Sequence, residues 1–404
     1  MACDLIVTHE QWFKTIQEQL NKKFLIEKIV PIKNEMLGYL GQYFILKGRK
    51  ENIANPSEFS FFLKIVPNGE KQKNFIRQSC VFNNEIVLYE TLFPAMKFKN
   101  KPNFILGLMD NFILLEDMSE NFQMQDKLKP FNLEFCKITL KTIAKFHSRS
   151  LIFEMKENKI LNFLKNENIN LHSPENLMAQ AIKTNIEGVC GIIDFIADKS
   201  DKQWAKVKKI LRKEAKEYYD EINFNGKKVL CHSDLWSNNI LFQFDIYKNP
   251  IKCCLVDFQL CRYAPPAFDV LIFLYFTTEK KLRQKHFDEL IDLYYDFLEK
   301  NLKQDGINIE KILPRVEFDE SIKKLKIKAM TAVIAYMSID FLTTNINKKG
   351  AVTKEEVWNC LSFDTKNLVL KQFNTVQEYK YRLKNNLEEL FQAIVEEEFI
   401  TDML

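Results

Sequence analysis

The sequence predicts an α+β chain of two lobes, a small sheet-bearing one followed by a large, mainly helical one. Three observations carry this. Short apolar runs of strand type crowd the first 118 residues. From residue 133 onward apolar side chains recur at helical spacing. Strand signals then return once, around residues 229–257, on both sides of a dense polar stretch.

Taken in order, ILKGRK (45–50) and SFFLKIVP (60–67) are short and rich in aromatic or β-branched residues, as strands are. CVFNNEIVLYETLFPAM (80–96) has Val81, Ile86, Leu88, Tyr89 and Leu92 at roughly helical spacing. FILLEDM (112–118) is a further short apolar run that stops at acids. LEFCKITLKTIAKFHSRS (133–150) places Phe135, Ile138, Leu140, Ile143, Ala144 and Phe146 on one side of a helix. KQWAKVKKILRKEAKEYYDEI (202–222) sets Trp204, Val207, Ile210, Leu211 and Tyr218 against a lysine-rich face, which reads as solvated. After Asp269 the pattern is helical almost to the end, with a break near NKKGAV (347–352). The expected division is a first lobe over 1–115, a junction over 116–119 and a helical lobe over 120–404.

Composition bounds the function. The chain has 404 residues, 46% of them hydrophobic, enough for a substantial core. Its 58 Lys and Arg against 54 Asp and Glu leave +4, too mild a balance to argue for nucleic acid or a membrane surface. Nine cysteines are scattered without a C-x-x-C pair, as expected of reduced thiols. The start, MACDLIVTHEQW, carries Asp4 and lacks the apolar core of a signal peptide. VLIFLYF (270–276) and AVIAYMSI (332–339) fall far short of the ~20 residues a membrane span needs, and read as buried helix. The expectation is a cytoplasmic monomer with no nucleic-acid or membrane partner.

The chemistry concentrates in VLCHSDLWSNNILF (229–242), read as a strand entering a loop and a strand leaving it. The loop carries His232, Asp234 and Asn239, and IKCCLVDFQ then ends near Asp257. Such a hairpin brings one carboxylate to a substrate hydroxyl. It also sets an amide oxygen and a second carboxylate around one hard cation, for which Mg²⁺ is suited. That set fits phosphoryl transfer, which needs an oriented hydroxyl and a neutralised phosphate more than covalent chemistry. Other chemistries fit poorly. Cys231 and His232 are neighbours, so on a strand their side chains diverge and cannot pair as nucleophile and base. The five histidines are too dispersed for a His-rich hydrolase, and no zinc spacing exists.

The order H-x-D-x-x-x-x-N followed by D-F-x is that of the protein-kinase catalytic loop and metal-binding Asp. HSDLWSNNILF and VDFQLCRYAPPAFDVLIF together resemble the ecdysteroid kinase-like (choline-kinase-like) small-molecule kinases, known mainly from insects. FFLKIVP, VFNNEIVLYETLFP, LLEDM and IAKFHSRS fit the same family's order, so the resemblance covers most of the chain. It implies a protein-kinase-like fold with a small antiparallel sheet in the first lobe, and ATP and Mg²⁺ as cofactors. It also implies Asp234 as catalytic base, Asn239 and Asp257 as metal ligands, Lys64 on the ATP phosphates and Glu85 paired with Lys64. Glu116, Asp117 and Met118 would be the junction whose backbone reads adenine. His232 would hold the loop backbone, and Asp269 would brace the loop from below.

Two departures stand out. The family usually has Gly where this chain has Ser233. Only Gly38 and Gly41, in MLGYLGQYF, can serve a phosphate-covering loop, and they lack the G-x-G-x-x-G pattern. Trp236 can pack the loop or face substrate.

Protein kinases carry Arg between the His and Asp of this loop and a long activation segment. Here Ser233 takes that place and Asp269 follows Asp257 closely, leaving little chain for a peptide platform or a phosphorylation switch. A small hydroxylated molecule is the better acceptor, with constitutive activity. By the resemblance it is an ecdysteroid or similar lipophilic alcohol, bound between the polar hairpin and the helices of 151–225 and 280–345. No residue of those segments stands out, and the acids of FDELIDLYYDFLEK (287–300) read as a solvated face. The alternatives are an aminoglycoside- or choline-kinase-like enzyme, whose cationic acceptor wants acids or an aromatic cage, and an inactive binding module.

Overall fold

The computed structural model describes residues 14–20, 24–32, 37–38, 40–50, 57–156, 160, 177–197, 202–218, 226–343, 351–361 and 364–402. Its first part is an antiparallel sheet of five strands in the order β1-β2-β3-β5-β4. These are β1 (Phe24–Pro31), β2 (Gln42–Lys50), β3 (Glu58–Ile65), β4 (Phe104–Leu108) and β5 (Phe112–Glu116). Alternation along β3 decides which face does what. Phe59, Phe61, Leu63 and Ile65 enter a satellite core with Phe44, Leu46, Phe112 and Leu114. Phe62 and Lys64 point the other way, and Tyr43 of β2 pairs across from Lys64.

The runs at 45–50, 60–67 and 112–118 thus fall within or against β2, β3 and β5. The sequence does not announce β1, because it is an edge strand with only Ile26 buried, so no alternation shows. The helix expected over 80–96 is more broken than its periodicity suggests. Cys80 adopts a left-handed backbone (φ 56°) that ends α1 (Glu70–Ser79) and starts α2 (Val81–Val87). A π-helical turn, Leu88–Leu92, then leads into a short helical turn at Phe93–Met96.

The second part is helical. Its members are α3 (Leu133–Lys156), α4 (Leu177–Ile196), α5 (Lys202–Lys216), α6 (Ala267–Thr277), α7 (Lys280–Gln304) and α8 (Arg315–Asp340). They are followed by α9 (Lys354–Leu361), α10 (Lys366–Thr375) and α11 (Gln377–Asp402). Every side chain of α6 is buried, as expected of VLIFLYF, and α8 is buried throughout Ala329–Ile339. No helix among the described residues is long and apolar enough to cross a membrane. Asp288, Glu289, Asp292, Asp296 and Glu299 are all exposed on α7, so the acids of 287–300 do form an outer face. Most of the break expected at 347–352 lies outside the described residues.

The polar stretch is not one hairpin. The strand entering it, β7 (Val229–Cys231), pairs with β10 (Arg262–Ala264). The strand leaving it, β8 (Ile240–Phe244), pairs with β9 (Pro250–Leu255), with β6 (Gln123–Met124) on its other edge. Residues 232–239 therefore bridge two separate small sheets. Spacing alone could not show this, since a strand's partner is set by the tertiary fold.

Candidate active site

Asp234 opens the site. Its carboxylate is buried at 6% exposure, and Asn239 Nδ2 donates both to Asp234 Oδ2 at 2.8 Å and to its backbone carbonyl at 2.9 Å. The short 3₁₀ turn at Ser237–Asn239 makes this possible by folding Asn239 back over the loop. Both amide hydrogens of Asn239 are thus occupied, which leaves Oδ1 as its open, oxygen-donor end. Burial is the main cause lifting the Asp234 carboxyl well above the usual carboxylate range, and the charges of Asp340 and Asp257 add to it. The bond from Asn239 and the charge of Lys64 pull the other way.

Asp269, at the start of α6, holds the loop from beneath. Its Oδ2 accepts from His232 N–H at 2.6 Å and its Oδ1 from Ser233 N–H at 2.8 Å. His147 on α3 completes this support: Nε2 lies 3.0 Å from Asp269 Oδ2 and Nδ1 lies 2.6 Å from the Tyr294 hydroxyl. His147 reads in sequence as packed near a helix end, but α3 continues past it, and the side chain is fully buried in this network. His232 Nε2 lies 3.0 Å from the Val256 carbonyl, which only accepts, so Nε2 carries the proton. Burial lowers the His232 pKa and keeps the ring neutral. The ring thereby ties the loop to the residue before Asp257.

Lys64 reaches across from β3. Its Nζ lies 2.8 Å from Glu85 Oε2, 2.7 Å from Asp257 Oδ1 and 3.1 Å from Gln259 Oε1. Burial opposes the charge of Lys64, yet Asp257 and Glu85 outweigh it, so its pKa is raised. Burial likewise lifts Glu85, against which Lys64 and the Phe258 N–H, donating at 3.2 Å, hold the carboxylate. Asp257 sits in the left-handed region at φ 63°, which turns the chain abruptly after β9 and aims the carboxylate back at Lys64.

Two cavities meet at Asn239 and Asp257, which line both. The larger, about 1060 Å³ with its opening to solvent, runs under β2 and β3 past Lys64 and Glu85 to Glu116, Asp117 and Met118. Among the described residues no acceptor meets the Met118 N–H, which leaves it available to a ligand. Asp117 accepts from Ser60 Oγ at 2.6 Å and from Ser119 N–H at 2.9 Å, which sets the course of the junction. Glu116 accepts from Asn103 N–H at 3.1 Å, so its side chain is engaged locally.

The smaller cavity, about 760 Å³ on the same measure, lies on the other side of Asp234. Its walls come from α4, from α8 and from the turn before β2. Gly38 lines it with a left-handed backbone, φ 94°. Gly41 lines neither cavity; a side chain there would press on the Tyr43 ring at 3.1 Å and Lys64 Cγ at 3.2 Å. Trp236 does both things open to it in sequence. It lines this cavity and stacks on Phe276 at 6.0 Å between centroids, and Phe276 stacks in turn on Tyr336 at 6.5 Å.

A divalent cation fits the oxygens that Asn239 Oδ1 and the partly exposed Asp257 carboxylate present where the cavities join. Both are hard donors, as Mg²⁺ prefers, and a nucleotide in the larger cavity would supply further oxygens.

Sequence reasoning missed three residues. Asp340, the last residue of α8, lines the smaller cavity with Asp234. Burial, then Asp257, lift its carboxyl to about 7, against the charge of Lys127. The clue was an acid closing the otherwise apolar run AVIAYMSID. Gln259 follows Phe258 and accepts from Lys64, a contact that nothing in its sequence context signals. Tyr43 lines both cavities, and only its alternation with Phe44 on β2 hinted at an inward ring.

A stretch of 60 residues is 43% identical to the 4-hydroxytryptamine kinase of Psilocybe cyanescens. That match spans 15% of this chain and 16% of the relative's length. Among solved structures, the GDP complex of wild-type aminoglycoside 2'-phosphotransferase-IIIa aligns over 95% of this chain and 98% of its own, at 12% identity and TM-score 0.42. The streptomycin-ATP-APH(2")-IIa ternary complex aligns over 80% of this chain and 90% of its own, at 14% identity and TM-score 0.41. The model of the ecdysteroid kinase-like family matches residues 42–306, well over half of the sequence, and the chain belongs to that family.

Proposed function

We propose that this chain is a kinase that transfers the γ-phosphoryl group of ATP to a hydroxyl of a small lipophilic molecule, with Asp234 as the base. The observation that carries the reading is the convergence of Lys64, Asp234, Asn239 and Asp257 where two cavities meet. The larger cavity, bounded by residues 116–118, takes the nucleotide, and the smaller one takes the acceptor.

Each group then has one task. Lys64, held by Glu85, offers its ammonium to the phosphates. The Met118 backbone reads the adenine edge. Mg²⁺, held by Asn239 and Asp257, would neutralise phosphate charge. Asp234, steered by Asn239, accepts the proton of the acceptor hydroxyl. The acceptor oxygen bonds to the transferring phosphorus as the bond from phosphorus to the ADP oxygen breaks. His232 and Asp269 keep the loop in position and touch no reacting atom. The mostly apolar wall of the smaller cavity favours an acceptor with a lipophilic body, of which ecdysteroids, the acceptors implied by the family resemblance, are one class and lipophilic amino alcohols another.

The test is Mg²⁺-dependent ADP formation across ecdysteroids, other sterols, choline, aminoglycosides and hydroxylated amines, each beside an Asp234→Asn control. Acceptor-dependent turnover that the control lacks supports the reading. ATP binding without turnover on any acceptor would point to a binding module. An Asp234→Asn protein as active as wild type would remove Asp234 from its role.

A further inference from the structure

The smaller cavity has an imbalance of charge that transfer to a neutral alcohol does not explain. Three carboxylates, Asp234, Asp257 and Asp340, line it. Asp257 is answered by Lys64 at 2.7 Å and, on the reading above, by the metal. Asp234 must be free to take a proton. Asp340 feels the charge of Lys127, yet among the described residues no side chain donates a hydrogen bond to its carboxylate. The nearby cation, Lys127, donates its Nζ to the backbone carbonyls of Asp340, at 2.5 Å, and of Leu342, at 2.8 Å, and so caps the end of α8. The C-terminal end of that helix adds its own partial negative charge at this wall.

Asn239 and Gln259 line the cavity on the side of Asp257, and the wall around Asp340 is mainly apolar and aromatic, with Phe75, Met178, Ile182 and Ile339 beside the Trp236 and Tyr336 rings. Asn185 on α4 adds one polar group. It is 4% exposed, and its Oδ1 meets no donor among the described residues. A polar side chain left unsatisfied in an apolar wall is one that a ligand can satisfy. A neutral sterol filling this space would strip water from Asp340 and give nothing back. A polycation would meet one spare carboxylate among apolar side chains.

We infer that the acceptor carries a single protonated amine as well as its hydroxyl, with the ammonium paired to Asp340 beside the faces of Trp236 and Tyr336. This rests on the kinase reading for the hydroxyl but not for the amine. The ammonium supplies the hydrogen-bond donors that Asp340 lacks, and the rings add attraction for a cation. Asp340 is then a specificity-determining residue. An amphipathic hydroxylated amine, aryl or alkyl in its body, is the matching class.

The experiment uses matched pairs: tyramine against 4-ethylphenol, and a long-chain amino alcohol against the corresponding alkanol. For each pair kcat/KM is measured with Mg²⁺ and ATP in wild type and in Asp340→Asn. Wild type should favour the amine by roughly 100-fold, and Asp340→Asn should collapse that preference to within about threefold. A merely structural lesion would lower both members together and leave their ratio intact. Calorimetric binding of the same pairs, with a non-hydrolysable ATP analogue and Mg²⁺ present, separates the two ideas. Binding that prefers the amine through Asp340, without turnover, sustains this inference and sinks the kinase reading. Equal treatment of both members by wild type, in turnover and in binding, overturns the inference while leaving the kinase reading standing.

Discussion

Ser233 donates its backbone N–H to Asp269 Oδ1 at 2.8 Å, and it does so from a left-handed backbone at φ 65°. A β-carbon in that region meets steric resistance that glycine escapes. The Ser233 hydroxyl is also buried without a partner among the described residues. Glycine would fit this position more easily, and Ser233 occupies it at a cost. Ser233→Gly is expected to stabilise the protein by about 1 kcal/mol, the relief of strain and of a buried hydroxyl outweighing glycine's greater freedom when unfolded. Urea denaturation of the two proteins checks this, and a less stable glycine variant would refute it.

Asp234→Asn should keep the loop in place, because the Asn side-chain oxygen can still accept from Asn239. Transfer should nevertheless fall by roughly 10²–10⁴-fold, the usual contribution of a positioned base. Nucleotide affinity, read by calorimetry, should stay within a few-fold of wild type.

Removing Lys64 should be costly for the fold as well as for phosphate binding. Lys64 and Glu85 are each at most 5% exposed at their side chains. Lys64→Met leaves Glu85 buried without its cation and should destabilise the protein by roughly 3–5 kcal/mol. Lys64→Met combined with Glu85→Gln should recover part of that loss, while ATP binding stays weak. A double-mutant cycle by denaturation measures the coupling, and simple additivity would argue against the pair.

The thiols offer a check on the core. Burial pushes the Cys136 and Cys253 thiols up to about 12 and Cys190 up to about 11. Cys231, Cys254 and Cys261 are buried and shifted in the same direction. Thiolate, the reactive form, is scarce in all six at pH 8. Iodoacetamide applied to the native protein should therefore leave these six unmodified, and peptide mapping should show them labelled only after denaturation.

Much of this site was legible because it is local. Asp234, Asn239 and Asp257 sit close in sequence, and the backbone between them is constrained enough to make spacing informative. Lys64 and Glu85 were singled out through the family resemblance, on a strand and a helix on either side of α1, and their side chains meet at 2.8 Å. The unread parts are those where chain distance and spatial distance part company. Asp340 lies more than a hundred residues from Asp234, and an acid at a helix end looks like an ordinary terminus until α8 is packed against the loop. His147 seemed a packing residue because its partners, Asp269 and Tyr294, lie on two later helices. The mistaken single hairpin has the same origin: β7 and β8 are neighbours in sequence, but each finds its partner beyond Asn249.

The stack of Trp236, Phe276 and Tyr336 has an optical consequence. Trp236 borders the smaller cavity and not the larger one. Its indole should therefore sense arrivals on one side of Asp234 only. Tryptophan emission should stay nearly constant as nucleotide is added and shift when an acceptor enters. Trp236→Phe should silence that shift, although the other three tryptophans of the sequence continue to emit. The protein thus carries its own fluorescent gauge, with which candidate acceptors can be ranked before any phosphate has moved.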